Sequence, residues 1–290
     1  MKMKIGSMEP VYDPAAELGL PCYVNDHCIV RDRFGLYHLF HIKGFPFEGV
    51  HEGWNEMSEL MFGHAVSADL RRWTTQPQCI PAHNDEKRVA APCVVEQDGR
   101  YLMFYNSAGP QSIRRAASFD LYGWDRDIGP AFVPPSKDRG GWSNGQGRDA
   151  FVLRHRDSWL LYYTTMLWDG GGWLSAIGLA ESPDLRDWRD VGPAFVARER
   201  GRVTWSKTES PCVFARDGRF HLLFTDRILD QVVTTSSDDP HAFGEKGIQS
   251  LGRFRASKVY CFDSKWYMTH CFLPLREGNR GLYLSELSFE

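Results

Sequence analysis

The chain has 290 residues, with 34 Lys plus Arg against 37 Asp plus Glu and a net charge of −3 with His neutral. That balance supplies neither the basic surface that nonspecific nucleic-acid binding needs nor a polybasic membrane patch. A composition of 42% apolar and 24% charged residues is that of a globular protein and excludes a disordered one, and 13% aromatics with 27 Gly and 16 Pro lean toward strands separated by turns.

The N-terminus, Met1-Lys2-Met3-Lys4, is basic, but no apolar stretch follows it, so no signal peptide is expected. No run of about 18 apolar residues predicts a membrane span. The expected compartment is the cytoplasm. The seven cysteines are odd in number and form no CxxC pair, which favours buried reduced thiols over a disulfide framework or a zinc ribbon. Ten His show no HExxH or paired-His spacing, so neither a metal nor a cofactor is assigned.

One short unit then recurs along the chain: a polar or acidic residue, an apolar strand, a turn and an alternating aromatic strand. It runs from Asn25-Asp26-His27-Cys28 to Tyr37-His38-Leu39-Phe40, then from Ala91-Pro92-Cys93 to Tyr101-Leu102-Met103-Phe104, and from Arg148-Asp149-Ala150-Phe151 to Trp159-Leu160-Leu161-Tyr162. The fourth copy runs from Glu209-Ser210-Pro211-Cys212 to Phe220-His221-Leu222-Leu223, and a weaker fifth from Ser257-Lys258-Val259 to Trp266-Tyr267-Met268. Asp98-Gly99 and Asp217-Gly218 are hairpin turns by composition, with Phe34-Gly35 a near relative. Each of the first four hairpins is followed by Ser-x-Asp and an aromatic: Ser67 to Trp73, Ser118 to Trp124, Ser182 to Trp188, Ser237 to Phe243. Ser and Asp at this spacing form a local turn, and the three Trp are expected to pack rather than touch a ligand. Gly63–Val66 and Ile177–Ala180 read as third strands. Equivalent positions Asp26, Ala91, Asp149, Ser210 and Ser257 are 65, 58, 61 and 47 residues apart. Four strands per unit and five units predict an all-β, five-bladed β-propeller with four-stranded antiparallel blades, occupying residues 1–290 as one domain. The alternating stretch 281–289 is placed to close the ring with N-terminal residues.

Alignment of the repeats on Cys28, Cys93, Phe151, Cys212 and Val259 gives an apolar column that burial explains. Two residues before it stand Asp26, Ala91, Asp149, Ser210 and Ser257; for Glu209, the acid is one residue further back. Three carboxylates therefore lie at or beside matching points on three blades, and in a propeller these points converge on the axis. Such a group repels itself and raises at least one pKa, which a fold does not need for stability. Paired carboxylates in different protonation states are what glycosidic bond cleavage requires. The bland alternative is that each acid only caps a turn.

The sequence resembles the five-bladed propeller glycoside hydrolases, the furanosidase superfamily that includes families 32, 43, 62 and 68. The resemblance covers nearly the whole chain through the blade repeat. Its local matches favour family 32: Asn25-Asp26, Tyr37-His38-Leu39-Phe40, Gly63-His64-Ala65-Val66-Ser67-x-Asp69-Leu70-x-x-Trp73, Arg148-Asp149 and Glu209-x-Pro211. The resemblance implies a nucleophile (or, in inverting families, a general base) at Asp26, a transition-state stabiliser at Asp149 beside Arg148, and a general acid at Glu209. Departures are His27-Cys28 after Asp26, Ala150 after Asp149 and Ser210 after Glu209. No length remains for the second, β-sandwich domain that family 32 enzymes generally carry.

Further substrate-binding candidates are Asn25, Arg148, Trp54 and Trp142, the last two because they stand near the strands carrying Asp26 and Asp149, and His64, for which a core role weighs equally. The expected activity is removal of terminal furanosyl residues from a small oligosaccharide or glycoside, as a β-fructofuranosidase-like retaining enzyme. The alternatives are an inverting arabinofuranosidase or xylosidase of the family 43 type, or a carbohydrate-binding propeller without catalysis. The oligomeric state is not readable.

Overall fold

The computed structural model describes residues 2–46, 56–83, 85–108, 111–272 and 280–290. Two short strands, β1 (Met3–Ile5) and β2 (Glu9–Tyr12), and a one-turn helix α1 (Pro14–Leu18) come first. Blade one follows as β3 (Tyr23–Arg31), β4 (Tyr37–Gly44), β5 (Phe62–Ser67) and β6 (Thr74–Cys79), and blade two as β7 (Val89–Gln97), β8 (Arg100–Ser107), β9 (Ser112–Ser118) and β10 (Asp125–Arg126). Blade three is β11 (Arg148–His155), β12 (Ser158–Trp168), β13 (Trp173–Ser182) and β14 (Arg189–Val196). Blade four is β15 (Thr208–Arg216), β16 (Arg219–Asp226), β17 (Gln231–Ser237) and β18 (Gln249–Gly252). Blade five takes β19 (Arg255–Phe262), β20 (Lys265–Cys271) and β21 (Leu282–Phe289) from the end of the chain and β1 from its beginning, Met3 opposite Phe289 and Ile5 opposite Leu287. N-terminal residues thus close the ring and cover the edge of β21.

All described strand pairings are antiparallel, and the first strands touch in a cycle: β3 to β7, β7 to β11, β11 to β15, β15 to β19 and β19 back to β3. This is a five-bladed propeller. Its apolar residues fall into clusters between neighbouring blades rather than into one central core. Between blades three and four, for instance, Leu160, Tyr162 and Ile177 pack on Val213, Leu222 and Phe224. The axis is lined instead by first strands, where the Cys93 sulfur accepts the Val152 N–H and the Cys212 sulfur that of Val259, each at 3.3 Å. All seven cysteines are free, and only Cys261 is exposed.

The turns account for the repeat. Asp98 and Gly99, and Asp217 and Gly218, each have both residues at positive φ, as a two-residue hairpin requires. In blade five Asp263 and Ser264 do the same without glycine, which is why that copy reads weakly in the sequence. At the rim, the Asp of each Ser-x-Asp motif accepts backbone N–H bonds. Asp69 takes those of Arg71 and Arg72, Asp120 those of Tyr122 and Gly123, and Asp184 those of Arg186 and Asp187, all at 2.8–2.9 Å. The turn throws Leu70, Leu121 and Leu185 to φ of 64°, 68° and 63° while burying them. A side chain at such φ costs about 1 kcal/mol, offset by burial of a leucine. Trp73, Trp124 and Trp188 pack against the inter-blade clusters.

Candidate active site at the channel mouth

In every blade the ladder between first and second strands skips near the axial end. The shifts lie between Val24 and His27, Ala90 and Cys93, Arg148 and Phe151, Glu209 and Cys212, and Arg255 and Lys258. Two residues there oppose one, a β-bulge, the device that re-aims side chains beside sites. In four blades the first bulged residue is left-handed: Ala91, Asp149, Ser210 and Ala256, at φ of 50–57°. All are small or Asp, and none is β-branched, the type least able to adopt that φ.

The bulges also correct the repeat register. Glu209 stands just before its bulge, Asp149 is the first bulged residue of blade three and Asp26 the second of blade one. The three acids thus occupy three successive columns, and it is the convergence of blades that brings them to one chamber. The apolar alignment set Asp26 level with Asp149 because His27 and Lys258, the residues that follow the bulges in blades one and five, are polar. Their apolar neighbours Cys28 and Val259 took their place in the column.

Arg148 is the hub of the chamber. Its Nη1 donates to Asp149 Oδ2 at 2.8 Å and its Nη2 to Glu209 Oε1 at 3.0 Å. Burial opposes its charge, but Asp149 and Glu209 more than offset this, and the guanidinium is held more firmly protonated than an ordinary arginine. Asp149 Oδ2 also accepts the Ser210 N–H at 3.1 Å, and the Asp149 N–H reaches Asn106 Oδ1 at 3.1 Å. Backbone on one side and side chain on the other thereby fix this strained residue. Glu209 Oε2 accepts from Arg227 Nη1 at 3.3 Å. Asp26 is different. Its Oδ1 is buried with no hydrogen-bond partner. Loss of solvent raises its pKa to about 6, the charge of Asp149 adds to the rise, and the Lys258 ammonium and a Ser210 hydrogen bond restrain it. One carboxyl is thus raised toward neutrality while two are engaged by guanidiniums, so the three acids stand in different electrostatic environments.

The inner chamber is lined by Asn25, Asp26, Glu59, Asn106, Asp149 and Glu209, among others. It opens into an outer cleft of about 480 Å³ that includes Gln111, Asn144, Thr165, Trp205 and Arg227. Asp26, Asp149, Glu209, Asn25 and Arg148 are therefore brought together as the sequence led one to expect. Trp142 and His64 are not. The Trp142 indole donates to Asp190 Oδ2 at 2.9 Å and packs in the cluster between blades two and three, so its loop meets the cleft through Asn144 and Gln146. His64 is buried on the third strand of blade one, stacked on Phe40 and hydrogen-bonded to His38 at 3.0 Å. Burial pushes its pKa down to about 3, so it is a neutral core residue. Trp54 lies outside the described residues. Sequence reasoning did not find Arg88, Glu59, Asn106 or Arg227. Arg227 was within reach, since Glu209 pairs with Thr225 across the hairpin and Arg227 follows Thr225 by two residues. Among the described residues no group of three His, Cys, Asp or Glu is arranged to hold a metal, and no helix is long and apolar enough to cross a membrane.

No family model and no curated protein match the sequence. Solved structures do. A thermostable family 43 glycoside hydrolase superposes with a TM-score of 0.69 at 15% identity, covering 93% of this chain and 91% of that one. The fold is that of the five-bladed glycoside hydrolases. A family 43 β-xylosidase/α-arabinofuranosidase from a compost microbial metagenome, in complex with xylotriose, gives 0.69 at 13% identity over 98% of this chain and 95% of that one. The family 32 β-fructofuranosidase of Bombyx mori gives 0.65 at 18% identity over 93% of this chain, but the match spans only 61% of that protein's length.

Proposed function

We propose that the protein is a glycoside hydrolase that removes a terminal furanosyl residue from a small oligosaccharide. The observation that carries this reading is the meeting of Asp26, Asp149 and Glu209, from three blades, in one chamber at the channel mouth. Glu209 belongs to both chamber and cleft. It stands where a leaving group crosses from one to the other, and protonates the glycosidic oxygen. Asp26 lines the chamber but not the cleft, and attacks the anomeric carbon in a retaining double displacement. Asp149, tied to Arg148 and to backbone, binds sugar hydroxyls and stabilises positive charge developing on the ring.

The test is hydrolysis of sucrose, short fructans, and nitrophenyl arabinofuranoside and xyloside by wild type, Asp26→Asn and Glu209→Gln. One substrate turned over by wild type and by neither folded variant supports the reading. Activity indifferent to both changes sinks it. A second reading is favoured by the superpositions, a TM-score of 0.69 for each of the two family 43 structures against 0.65 for the family 32 enzyme. In that reading Asp26 activates water and the enzyme inverts an arabinofuranoside or xyloside. The anomer released first, followed by proton NMR, separates the two.

A further inference from the structure

The residues common to chamber and cleft are Arg88, Arg148, Glu209 and Arg227. The throat of the site is thus three guanidiniums and one carboxylate. On the cleft side a fourth cation joins them. The Lys207 ammonium lies 3.2 Å from the ring centroid of Trp205, with the Arg227 guanidinium 5.8 Å from the same ring. Trp205 is 42% exposed in the cleft wall. Burial and then the neighbouring charge of Arg227 disfavour the protonated form of Lys207, so the two cations are held together against their repulsion. Arg88 has a buried Nε with no partner, although its outer nitrogen pairs with Glu56 and lies 3.7 Å from Glu59.

The two halves of the site therefore differ in charge balance. The chamber sets Asp26, Glu59, Asp149 and Glu209 against the three throat guanidiniums and Arg255, and so has no excess of cations. The cleft sets the same three guanidiniums against only Glu56 and Glu209, and Lys207 stands beside its Trp205 wall as a further cation. We propose that the outer cleft recognises an oxyanionic group on the leaving-group side of the scissile bond, so that the substrate is an acidic glycoside: a neutral terminal sugar in the chamber, linked to a unit that carries a carboxylate or a phosphate. Arg227 and Lys207, both set against Trp205, present N–H donors to such a group. The same contact draws Arg227 away from Glu209 Oε2, the longer of the two guanidinium contacts to Glu209, and leaves that oxygen facing the glycosidic bond. This inference rests on the glycosidase reading for the words leaving group, but not for the binding itself.

Calorimetric binding to the full chain tests it without turnover, using glucuronic acid, galacturonic acid, glucose 6-phosphate, glucose, galactose and inorganic phosphate as probes. Acidic sugars are expected to bind at least about tenfold more tightly than the neutral ones and to weaken at high salt. Lys207→Met, a change on a partly exposed side chain, should remove roughly three- to tenfold of that affinity and leave neutral sugars unaffected. The uronates and the sugar phosphate separate the two sources of the oxyanion. Glucose binding as tightly as glucuronic acid overturns the proposal, and so does an unchanged affinity in Lys207→Met. Binding of inorganic phosphate alone also overturns it, because the anion is then a free acceptor and not part of the sugar. Acid binding without hydrolysis of any glycoside would sink the glycosidase reading and keep the subsite. Hydrolysis of neutral glycosides without acid binding would do the reverse.

Discussion

The rim and the axis of this propeller are built from the same repeat and treat it in opposite ways. At the rim, Ser67-x-Asp69-Leu70, Ser118-x-Asp120-Leu121 and Ser182-x-Asp184-Leu185 make the same turn, with the same pattern of bonds and the same left-handed leucine. At the axis the backbone repeats, with a bulge in each blade, while the side chains on it diverge. Ala91 and Ala256 fill the bulge position in two blades where a third carries Asp149. A scaffold position that accepts Ala twice has no need of a carboxylate. What differs among blades is therefore available for chemistry, and what recurs answers to folding.

If the axis is chemistry, its variants should lose activity and keep the fold. Asp26→Asn is expected to lower kcat/KM by roughly four orders of magnitude. Glu209→Gln should cost about 10²- to 10⁴-fold on a poor leaving group and much less on a nitrophenyl glycoside, which departs without a proton. Steady-state rates on both substrate types, with circular dichroism to check folding, decide this. In wild type, kcat/KM should fall on the acid side with a limb near pH 6, because Asp26 must be ionised and its pKa is raised to about 6. Lys258→Met removes a charge that restrains that rise, and should move the limb upward.

Arg148, at the axis, serves both chemistry and structure. Its removal in Arg148→Met leaves Asp149 and Glu209 without the cation they share, at a cost of about 3 kcal/mol. Urea unfolding at pH 7 measures it. A cost under about 1 kcal/mol would mean that solvent already screens these groups as at an exposed ion pair.

Asp26 offers a subtler test, because function and stability should pull apart. Folding raises its pKa from the ordinary value near 4 to about 6, so between about pH 4 and 6 the folded state holds the proton more tightly than the unfolded chain. Stability is then fully present below pH 4, falls as the pH rises through 6, and stays low above it. Asp26→Asn abolishes this dependence. The inactive variant should be more stable than wild type at pH 7, by an amount of order 2 kcal/mol, and equal to it below pH 4. A variant less stable at both pH values would make Asp26 a structural residue.

The same division explains what the sequence disclosed. The five units, their hairpins and the Ser-x-Asp turns were legible because glycine, Asp and apolar alternation are local necessities. Asp26, Asp149 and Glu209 were legible as interruptions of that repeat. The register at the axis was not, because His27 and Lys258 are polar residues in a column otherwise filled by Cys and Phe. Trp142 misled for a related reason. Adjacency in sequence to Asp149 is no guide to direction, and its indole finds Asp190 on the outer strand of blade three. Arg88 and Arg227 were invisible because nothing in their local sequence tells a pocket arginine from a surface one, and only the convergence of blades makes the difference.

The smallest expected effect lies at the rim and checks the other half of the comparison. Asp184 accepts two backbone N–H bonds in an exposed turn, and these bonds hold its carboxyl below the usual range. Asp184→Ala should cost about 1 kcal/mol, as the loss of a cap does, and leave kcat and KM unchanged on any substrate. Asp120→Ala, in the same turn of blade two, should cost the same, since Asp120 makes the same pair of bonds. The sign with pH is opposite to that at Asp26. A carboxyl lowered on folding contributes stability that is present at neutral pH and lost on acidification, so the cost of either variant should shrink below about pH 4. Thermal unfolding at two pH values reads this directly. Equal costs in the two blades would mark the rim as a repeated structural device, whereas a loss of activity from either change would show that the rim also bears on the axis and that the two regions are not separable.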